Sequence, residues 1–274
     1  MPALRAEVHR ILRTEGRPMN RKDFLMGAAG IAVGAPLGVA GTLKGLEPAP
    51  AQPPVPCPPP HGRISYSQAG EDMVAHYFFA HLKLKEITYL DIGAYEPIQI
   101  NNTYHFYQVG GRGVLVEPNV GLTPKLRSVR PRDTVLEAGI GIGKPSMADF
   151  YVMSSPSWST FDKAEAEHQT RVSGGAVTIR EVRKIPLLDV NDVMAEHFGG
   201  KAPSFVSIDA EGWHFAILKS IDFKRFRPAA LCVETLVSGE ARTLPEIPAF
   251  MTRQGYVARG GSFVNTIFVD ARLL

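Results

Sequence analysis

One stretch constrains this chain more than any other: Ile87 to Asn119, ITYLDIGAYEPIQINNTYHFYQVGGRGVLVEPN. It reads as strand, tight turn, helix, strand. The apolar run Ile87-Thr88-Tyr89-Leu90 ends at Asp91, and Gly93 follows at once. A glycine there lets the backbone turn sharply and pass close to a ligand. Asn102 to Val109 reads as an aromatic-rich helical piece, and Gly113-Val114-Leu115-Val116 as a second buried strand ending at Glu117. Two carboxylates therefore fall at the carboxyl ends of neighbouring parallel strands, where open α/β sheets bind their ligands. An acid at the second tip is placed to accept hydrogen bonds from both hydroxyls of a ribose. The turn lacks GxGxxG, so no pyrophosphate cradle is visible. A nucleoside ligand without phosphates fits better, and S-adenosylmethionine (SAM) is the common one. The plainer reading is a structural βαβ unit whose terminal acids are solvated.

Length and composition allow one α/β domain of ordinary size plus a tail, since 274 residues with 45% hydrophobic content support a sizeable core. Thirty basic against 27 acidic residues give a net charge of +3. That mild excess, with no basic stripe among aromatics, argues against nucleic acid as a partner. Two cysteines, Cys57 and Cys232, make neither a disulfide framework nor a zinc pattern. The histidines show no metal-ligand spacing, so metal-independent chemistry is expected.

Three regions follow from the composition. Residues 1–46 are basic at the start (Arg5, Arg10, Arg13, Arg17, Arg21, Lys22), then uncharged from Phe24 to Leu43. That run has the length of a membrane span, weakened by Gly, Ala and Pro36. Arg21-Lys22-Asp23-Phe24-Leu25 resembles a twin-arginine export signal. A membrane-associated or exported protein is the expectation, and a loosely helical tail is the alternative. Residues 47–63 form a proline-dense linker that favours extended polyproline II. Residues 64–274 form the domain.

Within that domain Ser67 to Leu82 reads as a helix capped by Ser67, with Glu71 and Asp72 at its positive amino end. Leu122 to Val129 reads as a helix, and Thr134 to Ile140 as a third strand leading to Gly139, where small residues let the chain approach the adenine or simply make a turn. Ala148 to Met153 and Val177 to Val182 read as strands around a polar insertion carrying Trp158 and Phe161, either a substrate lid or a surface loop. Val190 to Phe198 is a helix and Ser204 to Ile208 the fourth core strand, ending at Asp209-Ala210-Glu211-Gly212. A helix follows from Trp213, then the strand Ala229 to Val233 ending at Glu234, a helix from Pro245 to Gln254, and a closing hairpin (256–259, 265–270). The alternation predicts a mostly parallel sheet covered by helices on both faces, closed by an antiparallel hairpin in the manner of class I methyltransferases.

His214 falls in the first turn after Gly212. A helix amino end disfavours the imidazolium, so the spacing predicts a neutral histidine able to act as general base. A structural histidine packed beside Trp213 and Phe215 is the competing reading, and Asp209 is the rival base.

Several stretches together resemble the FkbM family of SAM-dependent methyltransferases: Tyr66-Ser67-Gln68-Ala69-Gly70-Glu71-Asp72, Asp91-Ile92-Gly93-Ala94, Asn102-Thr103-Tyr104, Val116-Glu117-Pro118-Asn119, Ser207-Ile208-Asp209-Ala210-Glu211-Gly212, Arg227-Pro228 running into Val233-Glu234, and Asn265-Thr266-Ile267-Phe268-Val269. The resemblance implies a Rossmann-like class I fold, SAM as methyl donor, and O-methylation of a sugar, glycan or secondary-metabolite hydroxyl. By position it implies that Asp91 and Gly93 line the SAM turn, that Glu117 holds the ribose, and that Asp209 and Glu211 face the methyl group. The chain departs from many members at Ser207, where they carry Lys, at His214, where they carry an acid, and at Pro97, which replaces a glycine. A nucleotide-binding oxidoreductase and a non-catalytic interaction module of the same fold are the competing classes.

Overall fold

The computed structural model describes residues 63–143, 145–210, 212–236 and 244–274. The expected basic segment, apolar run and proline linker (residues 1–62) lie outside the described residues. Among the described residues, no helix is long and apolar enough to cross a membrane.

Helix α1 (Glu71–His81) precedes strand β1 (Thr88–Ile92), helix α2 (Tyr104–Gln108), strand β2 (Arg112–Val116), helix α3 (Thr123–Val129) and strand β3 (Thr134–Leu136). Strands β4 (Gly139–Ile140) and β5 (Ser146–Met153), helix α4 (Lys163–Val172) and strand β6 (Ile179–Leu188) come next. Helix α5 (Val190–His197), strand β7 (Phe205–Ile208), helix α6 (His214–Ser220), strand β8 (Ala230–Glu234), helix α7 (Glu246–Arg253) and strands β9 (Tyr256–Gly261) and β10 (Asn265–Asp270) complete the domain.

The main sheet has the order β3-β2-β1-β7-β8-β10-β9. The pairs β3–β2, β2–β1, β1–β7 and β7–β8 are parallel, and β10 runs antiparallel to both β8 and β9. This is the class I methyltransferase arrangement expected from the alternation of elements. The strands read as near-continuous apolar runs because both faces are covered. Leu90, Ile92, Val206, Ile208, Leu231 and Val233 pack on one face against α5, α6 and α7. Tyr89, Leu115, Phe205, Cys232 and Ile267 pack on the other against α1, α2 and α3. Each such side chain contributes about 1.5–3 kcal/mol by leaving water.

Two expectations differ from the structure. Thr134 to Ile140 is not one strand. It breaks after Leu136, and Gly139–Ile140 joins a second, three-stranded sheet of order β4-β6-β5. The short apolar run could not reveal that its two halves pair with different partners. Helix α1 starts at Glu71, not near Ser67, although the Ser67 hydroxyl accepts the Gly70 N–H at 3.0 Å. Glu71 and Asp72 do fall in its first turn, as expected, and both are fully buried. Asp72 accepts hydrogen bonds from Ser65 Oγ, Tyr66 N–H and Ser67 Oγ. Glu71 accepts from Ser262 Oγ at 2.6 Å and Asn265 Nδ2 at 2.9 Å, which ties α1 to β10. Burial alone would raise the Glu71 pKa, but these hydrogen bonds outweigh it and the net shift is downward.

The insertion between β5 and β6 is ordered structure. It holds a short 3-10 turn (Pro156–Trp158) and α4, whose amino end is capped by Asp162. Its Trp158 and Ala166 pack against Met153 at the end of β5.

Candidate active site at the carboxyl ends of the strands

The carboxyl ends of β1, β2, β7 and β8 carry the polar residues that the sequence singles out. Gly93 leaves β1 with φ +84°, a left-handed conformation that favours glycine. Its N–H bonds the Val116 carbonyl at 2.9 Å. A Cβ at this position would lie 1.9 Å from the Asp209 carbonyl oxygen. The neighbour that demands glycine is therefore the end of β7, reached across the sheet. Next in the loop, Tyr95 adopts φ +50°, a costly conformation for a residue with a side chain. It aims the Tyr95 N–H at Glu117.

Glu117, at the tip of β2, is buried and accepts Tyr95 N–H at 2.8 Å and Asn119 N–H at 2.7 Å, one on each oxygen. Burial pushes its carboxyl up to about 7, with the Asp91 charge adding to the rise and the two backbone hydrogen bonds opposing it. Two donors leave part of the carboxylate's acceptor capacity unused, since an ionised carboxylate offers about four lone-pair sites.

Asp91, expected to line the SAM turn, lies at the end of β1 just before Gly93. It is buried on the α2 face of the sheet, where its Oδ2 accepts Thr103 Oγ1 at 2.7 Å and Asn101 Nδ2 at 3.2 Å. Burial raises its pKa, opposed by the Arg130 guanidinium and these hydrogen bonds. Asn101 also donates to the Ala94 and Glu96 carbonyls, and its own oxygen accepts the N–H groups of Thr103 and Tyr104. One amide side chain thus fixes both the loop after β1 and the amino end of α2. Behind it, the fully buried Arg130 donates to Asn101 Oδ1 at 3.0 Å, to Thr103 Oγ1 at 2.9 Å and to Asp133 at 2.8 Å. Asp133 in turn accepts the Tyr89 hydroxyl and the Gly113 N–H. Sequence reasoning missed Asn101, Arg130 and Asp133. The polar run Asn101-Asn102-Thr103 before an aromatic helix was the available signal for the first, and nothing local marked the other two.

At the end of β7, Asp209 Oδ1 is buried with no hydrogen-bond partner. An unpaired carboxylate oxygen is costly, and it is the feature of this end most in need of a ligand. The chain then turns through Gly212 (φ +88°) into α6. Glu211 lies outside the described residues. His214, the first residue of α6, is buried, and its Nδ1 is 3.7 Å from Glu234 Oε2 at the end of β8. The structure therefore brings Gly93, Glu117, Asp209 and His214 to one end of the sheet and adds Glu234. Gly139 stands apart in the second sheet. A Cβ there would meet the Phe161 ring and Leu187 within 2.5–2.8 Å, so the missing side chain makes room for the insertion. The Phe161 ring lies tilted against Phe150 at 4.8 Å and against Trp213 at 5.6 Å between ring centroids. The insertion is thus anchored to the turn that carries Asp209 and His214. Among the described residues, no cluster of three or more His, Cys, Asp or Glu could hold a metal ion.

Among solved structures, the chain is similar to a precorrin-6y C5,15-methyltransferase from Geobacter metallireducens GS-15, at 14% identity over 72% of this chain and 85% of that one, with a TM-score of 0.33. It is also similar to a 1,6-didemethyltoxoflavin-N1-methyltransferase from Burkholderia thailandensis, solved with 1,6-didemethyltoxoflavin and S-adenosylhomocysteine, at 14% identity over 73% and 76%, with a TM-score of 0.35. These scores are too low to carry an argument. No curated protein sequence matches the chain. The family model described as the methyltransferase FkbM domain matches residues 91–258, more than half of the chain and the whole span from Asp91 through the acids of β2, β7 and β8. The chain therefore belongs to the FkbM methyltransferase family.

Proposed function

We propose that this methyltransferase moves a methyl group from SAM to a hydroxyl of a sugar, glycan or secondary metabolite. The observation that carries the reading is the gathering of an under-used buried carboxylate (Glu117), a second acid whose buried Oδ1 has no hydrogen-bond partner (Asp209) and a histidine (His214) at one end of the sheet. SAM is the cofactor of the family, and these residues fit it. Glu117 would hold the ribose hydroxyls on its remaining lone pairs, and the loop from Gly93 to Pro97 would lie against the amino-acid and sulfur portion. When bound, the cofactor supplies an electrophilic methyl on a sulfonium, so that attack by an acceptor oxygen breaks the carbon–sulfur bond and leaves a neutral thioether.

The chain's own task is to hold the acceptor oxygen in line and to take its proton. His214, with Asp209 as the neighbouring acid, is the group proposed to receive that proton. The insertion around Trp158 and Phe161 sits beside this turn and would exclude water from it. A neutral nucleophile deprotonated at its point of attack suits an alcohol, whose pKa is too high for it to react as a free anion.

Transfer from methyl-labelled SAM to a panel of mono- and oligosaccharides and hydroxylated small-molecule extracts tests the reading. It expects label recovered as an O-methyl ether. Label on nitrogen or carbon, or SAM bound with no transfer to any member, would overturn it. A membrane-associated or exported placement through residues 24–43 is proposed from the sequence alone. Cell fractionation with protease protection tests that placement, and a full-length chain free in the cytosol would contradict it.

A further inference from the structure

We propose that Glu234 is the positioning residue of His214, acting through the imidazole and not on the acceptor itself. This rests on the reading of His214 as the proton acceptor and deepens it. Both side chains are buried, at 8% and 5% exposure, and the Nδ1–Oε2 separation is 3.7 Å. That is wider than a hydrogen bond, as catalytic contacts commonly are before substrate binds. Glu234 is held rigidly: it is the last residue of β8, paired with Asn265 on one side of the sheet, while β7 runs along the other. His214 is held equally firmly, as the first residue of α6, whose Ile217 and Leu218 are in the core. Glu234 faces the imidazole from β8, and Asp209 lies five residues earlier at the end of β7. Helix α5 meets α6 at its other end, where Asn191 Nδ2 donates to the Ser220 carbonyl at 2.9 Å.

A carboxylate on the Nδ1 side has two chemical effects. It favours the tautomer that carries hydrogen on Nδ1, which leaves the Nε2 lone pair to accept a proton. It also stabilises the imidazolium formed when the acceptor hydroxyl gives up its proton to Nε2. The proton balance closes within the pair: the hydroxyl loses one, Nε2 gains one, and the charge is offset by Glu234. This opposes the field of the helix amino end, which alone disfavours the cation.

The full chain labelled with nitrogen-15 in its histidines, with His214→Ala used to assign the signal, tests the proposal by NMR titration. The expected result is an Nδ1–H tautomer for neutral His214 in the wild type. In Glu234→Gln its titration midpoint should fall by about one pH unit, a tenfold loss in proton affinity, because an opposite charge at this distance has been removed. Glu234→Asp should recover part of the shift. An Nε2–H tautomer in the wild type, or an unchanged midpoint in Glu234→Gln, would overturn the proposal. The wild-type tautomer is decisive even if a variant fails to fold. Failure of the base reading itself shows separately, as O-methyl transfer that survives in His214→Ala.

Discussion

Gly93 and Asp209 meet where β1 and β7 end, with a Cβ on Gly93 placed 1.9 Å from the Asp209 carbonyl oxygen. The two strand ends that carry the Gly93 turn and the candidate catalytic acid are therefore a single packed unit. Gly93→Ala should both separate these ends and strain a left-handed backbone. The strain alone costs on the order of 1–3 kcal/mol, and the backbone clash adds to it. Thermal unfolding should show a lower Tm, with SAM binding weakened. A variant with wild-type stability would show that the ends can part freely.

Arg130 predicts a large effect far from the chemistry. It bridges Asp133, Asn101 and Thr103 inside the protein, and Thr103 in turn bonds Asp91. Arg130→Met would leave Asp133 and Asp91 as buried acids without their cation, a loss on the order of 3–5 kcal/mol. Denaturant unfolding of Arg130→Met measures it. Because Asn101 also holds the Ala94 and Glu96 carbonyls, the loop after β1 should become protease-sensitive in the same variant.

Much of this was legible in the sequence, for definite reasons. The order of strands followed from apolar runs that alternate with helical spacing, and the closing antiparallel pair from Gly260-Gly261 between two such runs. Glu117, Asp209 and His214 could be singled out as candidates because each sits at a strand end or just past a turn marked by glycine. What local pattern could not show was tertiary partnership. That Thr103 and Asn101 hold Asp91, and Asn265 holds Glu71, could be seen only once the chain was folded. The split of 134–140 between two sheets depends on the distant β6. Glu234 stood in the sequence as a strand end, but its approach to His214 required the β7–α6–β8 crossover to be in place.

The raised Glu117 pKa gives two pH dependences of opposite sense. In the protein without ligand, the native state holds the Glu117 proton up to about pH 7, whereas the unfolded chain releases it near 4.3. The native state therefore binds more protons across that window, and this group's contribution to stability falls as pH rises from about 4.3 to about 7. SAM affinity should move the other way, because only the ionised carboxylate can accept freely from both ribose hydroxyls. Binding should tighten as pH rises through about 7 and then level off. Calorimetric titrations of wild type and Glu117→Gln across that range check both, and the pH dependence should be absent from the variant.

His214→Ala should lower turnover by on the order of 10²–10⁴ if the histidine takes the acceptor proton, while SAM binding stays nearly intact. The acidic limb of the pH–rate profile should vanish with it. Single-turnover kinetics with labelled SAM separate the two effects. Loss of that limb in Asp209→Asn with its retention in His214→Ala would move the base to Asp209.

The most direct test of the account is a calorimetric titration of SAM into the wild-type chain and Glu117→Ala above neutral pH. A carboxylate that holds the ribose provides charge-assisted hydrogen bonds of about 1.5–3 kcal/mol each. The account predicts that the wild type binds SAM, and that the folded variant, checked by circular dichroism, binds it at least ~10-fold more weakly. Equal affinity in a folded Glu117→Ala, or no binding by the wild type, would contradict it.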